Sequence, residues 1–243
     1  MYGVAVGQLL TLDLEAKTAA IRELLAGCVR DHGRVVYANS LGAEAMVLTD
    51  IICTDVPAID IVSIDTGRLH EETYDLLEKL ERRYGNRIRI IYPDAGELST
   101  LIAAQGINGF FHRPENRAAC CHVRKVVPFQ RFVAGYGAWV TGVRREQSKS
   151  RALLEPLAWD AEHGLYKVSP LLDWTAEQVW AYIRTRKLPY NALHDRHYPS
   201  IGCAPCTRAV QAGEDSRAGR WWWESSEARE CGLHRGARAA TAR

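Results

Sequence analysis

Two hydrophobic periods alternate along the chain. Between residues 11 and 30, Leu14, Ile21, Leu24 and Leu25 recur at helical spacing and predict an amphipathic helix. Val35-Val36-Tyr37-Ala38 reads as a short strand, and a small-residue turn, Ser40-Leu41-Gly42-Ala43-Glu44, leads into a helical run to about Cys53. Ile59 to Ile64 is an apolar strand ending at Asp65-Thr66-Gly67, and a helix over about 70–84 presents Tyr74, Leu77, Leu80 and Tyr84 on one face. Ile88 to Tyr92 is a further strand, stopped by Pro93, which cannot donate to a ladder. A helix near 97–105 follows, then a helix ending near Gly135 and a strand from Ala138 to Val143.

Strands alternating with helices predict an α/β fold, a mostly parallel sheet flanked by helices. Ligands of such sheets sit beyond the carboxyl ends of the strands, where Ser40, Asp65 and Thr141-Gly142 fall. From about residue 145 the pattern loosens. Trp174 to Arg186 reads as a helix with Thr175 near its start and Pro189 just past its end. From Pro199 onward Gly, Pro, Ser and charged residues dominate. The expected organisation is one α/β domain over 1–234, with 207–234 as a mobile loop-rich arm and 235–243, RGARAATAR, as a disordered tail.

Composition narrows the function. With 47% hydrophobic and 25% charged residues in 243, the chain is ordinary globular material, which excludes disorder, collagen and coiled coil as descriptions of the whole. A formal charge of +2 is too balanced for a general nucleic-acid coat or a membrane-surface protein. No apolar run approaches ~20 residues, so no span is expected, and the start lacks the basic region and cleavage pattern of a signal peptide. Seven cysteines, an odd number, argue against a secreted disulfide scaffold and point to a reducing cytoplasm.

Cys28 and Cys53 lie in apolar helical stretches and read as core packing. Cys120-Cys121 with Cys203-x-x-Cys206 makes two close pairs, which suit a tetrahedral metal or an iron–sulfur cluster; a redox dithiol at 203–206 and a structural role are the alternatives. Spacing does not separate zinc from iron–sulfur. Cys231, in Glu230-Cys231-Gly232-Leu233-His234, stands in a polar, glycine-containing tail and is a candidate nucleophile. Arg217, Arg220, Arg235 or His234 could favour its thiolate. Three basic clusters break the near-neutral background: Arg113, Arg117, Arg124 and Lys125; Arg144, Arg145, Lys149 and Arg151; and Arg217 with Arg220. Guanidinium forks suit phosphate or sulfate oxygens, so an anionic ligand is expected. The Ser40–Glu44 turn can hold an anion at a helix start, yet it lacks the pattern of a P-loop. Trp221-Trp222-Trp223 beside Arg220 either anchors the arm or stacks nucleic-acid bases.

Together these residues resemble the assimilatory sulfonucleotide reductases, in their iron–sulfur adenylyl-sulfate (APS) branch, over about residues 33–234. The resemblance is carried by Cys120-Cys121-His122-Val123-Arg124-Lys125, by the stretch from Leu188-Pro189-Tyr190-Asn191 through His194-Asp195-Arg196 to Cys203-Ala204-Pro205-Cys206, and by Arg217 to Glu224 with Glu230 to His234. Ser40 to Glu44 looks like the family's modified pyrophosphate loop, and Asp65 to Leu69 and Thr141 to Arg144 look like its nucleotide-site segments. The resemblance implies an adenine-nucleotide α-hydrolase-like sheet of the PP-loop type and a [4Fe-4S] cluster on Cys120, Cys121, Cys203 and Cys206. It implies that Cys231 attacks the sulfur of APS, releasing AMP and leaving an S-sulfocysteine that thioredoxin or a glutaredoxin-like dithiol protein resolves to sulfite. It further implies that Lys125, Arg217, Arg220 and His234 cradle the phosphosulfate, with Ser40, Gly42, Thr66, Gly142 and Arg144 at the nucleotide. Partners from nucleic acid or membrane are not implied, and a homo-oligomer is compatible with it. The same chemistry on PAPS is the nearest alternative. A tRNA-thiolating PP-loop enzyme is more distant, because Ser40-Leu41-Gly42-Ala43 departs from its loop. A zinc-stabilised RNA-binding module is the alternative that is no enzyme.

Overall fold

The computed structural model describes residues 2–148, 151–224 and 233, with side chains from Asp13 onward. Six strands form one sheet in the order β3-β2-β1-β4-β6-β5, with β1 (Val35–Ala38), β2 (Asp60–Ile64), β3 (Ile88–Ile91), β4 (Ala138–Val140), β5 (Leu157–Asp160) and β6 (Leu165–Val168). Every neighbouring pair is parallel except β5 with β6. The strand order reverses direction between β1 and β4, and at such a switch point the loops diverge and leave a crevice.

The central strands bury nearly every side chain. Val35, Val36, Tyr37, Ile61, Val62 and all of β4 lie inside, as a parallel strand covered on both faces requires. One face packs on α1 (Tyr2–His32), α2 (Ala43–Asp55) and α7 (Ala176–Thr185), through Ile21, Leu25, Met46, Leu48, Ile51, Val179 and Ile183. The other holds Phe129 and Val133 of α6 (Val127–Val133) against Val36, Val62 and Trp139. Thr175 caps α7: its hydroxyl accepts from Gln178 N at 3.2 Å, and Gln178 Oε1 accepts from Thr175 N at 2.8 Å. Buried Asp50 of α2 accepts from the hydroxyls of Tyr84 at 2.7 Å and Tyr182 at 2.9 Å and from Arg186 Nε at 3.0 Å, tying α2 to the ends of two other helices.

Some elements differ from those expected. α3 (Glu71–Tyr84) is in place, but its buried line runs through Thr73, Leu76 and Leu80, while Tyr74 is 43% exposed and donates its hydroxyl to Asp65. The strand expected to reach Val143 ends at Val140, because Thr141 and Gly142 turn away to line a cavity. The hairpin of β5 and β6 falls in the stretch whose pattern loosens. Between α4 (Ala95–Gln105) and α6, a 3-10 turn, α5 (Pro114–Cys121) and a π turn over His122–Val126 carry Cys120, Cys121 and Lys125. Cys28 is buried and Cys53 packs half-buried against the same core.

Of the expected arm, residues 207–224 are described and fastened down: Thr207 bridges to Arg220, and Trp221 is buried. Cys231, His234, Lys149, Arg235 and the tail 235–243 lie outside the described residues. Among the described residues no helix is long and apolar enough to cross a membrane.

Candidate active site

A cavity of about 1260 Å³ opens at the carboxyl ends of β1, β2 and β4. Its floor is the turn from Asn39 to Glu44. Asn39 is buried; its Oδ1 accepts from Leu41 N at 2.8 Å and its Nδ2 donates to Thr49 at 2.9 Å. That bond holds Leu41 at φ +59°, a left-handed conformation uncommon for a side chain of its size. The turn thereby delivers Ser40, exposed, and Gly42 to the start of α2, where unpaired main-chain N–H groups and the helix dipole favour an anion. Gly42 itself is the residue before the first turn, and no side chain caps the helix there.

Ser40, Gly42, Thr66, Lys125, Gly142, Arg144, Arg217 and Arg220 all line this one cavity. Leu233, two positions after Cys231 and one before His234, lines it too and packs on the core face of Val36 and Trp139. Arg151 is a further buried cation at the wall. The expected cations are not equivalent. Arg144 donates from Nε to Glu44 at 2.9 Å and also bonds Glu146, and Gln147 Nε2 donates to the same Glu44 oxygen at 2.9 Å. This guanidinium is committed to bracing the α2 turn. Close packing of Gly142 on Glu44 completes the brace, since a Cβ on Gly142 would come 3.2 Å from Glu44 Cβ. Arg220 is buried with Nε lacking a hydrogen-bond partner, while Nη1 reaches Ser200 and Ile201 O at 3.1 Å each. Arg113 is exposed, Arg145 pairs with Asp173, and Arg117 and Arg124 turn inward, so the basic groups only partly converge.

Beside the cavity Cys120, Cys121, Cys203 and Cys206 gather in one small apolar cluster with Phe110, Trp221 and Trp223. Thr66 joins the two places, for it lines the cavity and its hydroxyl lies 3.2 Å from Cys203 Sγ. Arg124 Nη1 donates to Thr66 O at 2.5 Å, and Ala204 N donates to Arg68 O at 2.8 Å, which seats the 203–206 turn on the loop after β2. The four thiols feel one another. Burial, then the charges of Cys203 and Cys121, push Cys206 up to about 12. Burial would also raise Cys203, but the Lys125 ammonium, the Thr66 hydroxyl, Arg220 and Arg124 outweigh it and hold it below the ordinary thiol value. Burial raises Cys120 against the pull of Arg124. Four gathered cysteine side chains are a donor set that suits a tetrahedral metal or an iron–sulfur cluster, whose cationic charge would favour their thiolate forms. Among the described residues no three His, Cys, Asp or Glu side chains close on a single ion.

The sequence from 34 to 209 matches the phosphoadenosine phosphosulfate reductase domain. The chain belongs to that reductase family. A relative from Allochromatium vinosum named adenosine 5′-phosphosulfate reductase is 51% identical over 222 residues, covering 91% of this chain and 87% of its own. One of the same name from Burkholderia cepacia is 48% identical, covering 95% and 92%. Among solved structures, a phosphoadenylyl-sulfate (PAPS) reductase from Candida auris in a phosphate complex superposes with TM-score 0.67 at 28% identity, over 79% of this chain and 90% of that one. An FMN adenylyltransferase from Candida glabrata shares the fold, with TM-score 0.60 at 13% identity, over 91% and 78%. Membership of the reductase family takes the place of the thiolating and RNA-binding alternatives.

Sequence reasoning did not single out the polar brace behind the turn, Asn39, Thr49 and Gln147, nor the buried partner of Arg117, Glu224. Their partners lie far off in sequence, and Arg117 reads there only as one of the cations around Cys120-Cys121.

Proposed function

We propose that this chain reduces adenosine 5′-phosphosulfate to sulfite and AMP in assimilatory sulfate reduction, supplying cysteine biosynthesis in the cytoplasm. The observation that carries the reading is the placing of Lys125 and Arg220 on the wall of a cavity whose floor is the anion-binding start of α2 and whose neighbour is the four-cysteine cluster. The curated relatives of that name, similar over nearly the whole chain, support it.

The nucleotide lies across the β1/β4 switch point, with its phosphate on the α2 turn at Ser40 and Gly42. Lys125, Arg217, Arg220 and His234 neutralise the phosphosulfate oxygens. The Cys231 thiolate attacks the sulfate sulfur; the S–S bond forms as the sulfur–oxygen bond to phosphate breaks, and AMP leaves with the electron pair. Because the leaving group is a phosphate, the barrier falls mainly by stabilising negative oxygens, which fixed cations do well. A dithiol protein, thioredoxin or a glutaredoxin-like one, then attacks Cys231 Sγ. Sulfite departs with the bonding pair, and the second thiol of the donor releases Cys231, leaving the donor oxidised to its disulfide. Two electrons thus come from that dithiol. Cys120, Cys121, Cys203 and Cys206 would hold a [4Fe-4S] cluster, whose iron would offset part of the thiolate charge and whose remaining field would act on Lys125. Thr66 and Lys125 relay the position of the cysteine module to the cavity.

In anaerobically purified protein mixed with the substrate, mass spectrometry should find about 80 Da, one SO3 unit, on the tail peptide before any dithiol is added. Cys231→Ser should abolish both adduct and sulfite while leaving the visible absorbance at about 400 nm in place. Sulfite from that variant would end the assignment. The structural likeness to a PAPS reductase favours a second reading, the same reaction on the 3′-phosphorylated nucleotide. Turnover of the two substrates side by side decides between them.

A further inference from the structure

Arg117 is among the largest fully buried side chains of the described residues, and a sealed guanidinium is costly unless its donors are met. Its Nε donates to Glu224 Oε1 at 2.9 Å and its Nη2 to Oε2 at 2.7 Å, with the two side chains 1% and 2% exposed. Two guanidiniums stand over the indole of Trp221, Arg117 at 4.8 Å and Arg220 at 4.7 Å from its ring centroid. Arg117 also hydrogen-bonds the Cys121 side chain. Trp221 takes φ +45°, its N–H donates to Cys206 O at 3.1 Å, and Glu224 N donates to Trp221 O at 2.8 Å. Residues 220–224 are therefore bolted to both cysteine pairs, through Arg117 on one side and through the main chain of Cys206 on the other.

Neither Arg117 nor Glu224 lines the cavity. Stability alone does not call for them, since a buried pair can often be replaced by apolar groups without loss. What a two-pronged buried pair adds is one defined geometry. Glu224 is the last described residue before the stretch that carries Cys231.

We propose that the Arg117–Glu224 pair is a positioning device: it seats the root of the C-terminal stretch on the cysteine module, and the approach of Cys231 to the substrate sulfur is measured from that seat. Both are positioning residues that act through Trp221 and the chain beyond Glu224. The inference rests on Cys231 being the nucleophile.

The test uses the intact, anaerobically purified protein and reads three quantities: the single-turnover rate of the adduct on Cys231, AMP affinity by calorimetry, and visible absorbance. Glu224→Asp keeps the charge and draws the carboxylate back by one methylene. Arg117→Lys keeps the charge and loses the fork. Both should leave AMP affinity within about twofold and slow adduct formation by about tenfold to a hundredfold, the penalty for a misplacement of about an ångström. Glu224→Gln should slow it at least as much. Wild-type adduct rates in the Asp and Lys variants would overturn the proposal. So would a loss of rate matched by equal losses of AMP affinity and absorbance, which marks a merely structural pair. No adduct on the wild-type protein would overturn the nucleophile assignment and this inference with it.

Discussion

Trp139 and Trp221 are both fully buried, and they are buried for different reasons. Trp139 lies in the middle of a parallel sheet, where Val36, Val62, Phe129 and Leu165 surround it and the strand ladder on each side satisfies the main chain. Trp221 lies among loops and short turns. Its cluster holds two other buried residues, Phe110 and Cys206, with the remaining cysteines around them, and two arginines stand over its ring. Arg124 Nε, Arg220 Nε and Trp223 Nε1 are buried close by without hydrogen-bond partners. Apolar burial dominates in the sheet, with a few polar ties such as Trp139 Nε1 to Asp160 at 2.9 Å and the buried Asp50 network. The cysteine module has too little apolar burial and too many polar groups, and depends on ion pairs, on cation–aromatic contacts and, by the reading above, on bound iron. Apolar packing leads in the first region; polar and cation–aromatic contacts lead in the second.

Removing iron with a chelator under reducing conditions should separate the two regions most sharply. Adduct formation should be abolished, the absorbance at about 400 nm lost, and trypsin should gain access to 200–224, while the far-ultraviolet spectrum of the sheet and its helices changes little. Full activity after chelation would break the comparison. Ile51→Ala attacks the other side. Ile51 is wholly buried under the sheet, and its truncation should lower stability by about 2–5 kcal/mol. Adduct rate per folded molecule should stay the same, as measured by denaturant titration beside single-turnover kinetics. The smallest effect is expected where the regions meet. A Cβ on Gly202 would overlap the Arg220 guanidinium, so Gly202→Ala should push that cation from the cavity wall. AMP should bind about tenfold more weakly, near 1.4 kcal/mol, with stability almost unchanged. Unaltered affinity would mean that Arg220 does not reach the nucleotide.

The same divide governs what the sequence made legible. β1, β2, α3 and α7 follow from periodicity and caps, because each element's burial is decided by neighbours it meets along its whole length. Of the expected face of α3, Leu77, Leu80 and Tyr84 pack on the core; Tyr74 alone turns out, its hydroxyl donating to Asp65. β5 and β6 have four residues each, carry exposed Trp159 and Tyr166, and lie in a charged stretch, so no window of period two stands out. The two cysteine pairs are found together, as their spacing suggested. Arg144 shows the limit: it lines the cavity, as expected of a ligand residue, but its guanidinium is also held by Glu44, a hundred positions upstream. How far each cavity arginine is also braced by the protein is decided by tertiary contacts that no local pattern records.

Gly137, at the foot of β4, meets the end of α1 main chain to main chain: a Cβ built there would overlap the carbonyl oxygen of His32. Side-chain repacking cannot make the long helix and the strand slide past each other at that point. The end of the sheet opposite the cavity is therefore a place where the long helix and the strand meet backbone to backbone, and any side chain added at Gly137 would have to force them apart.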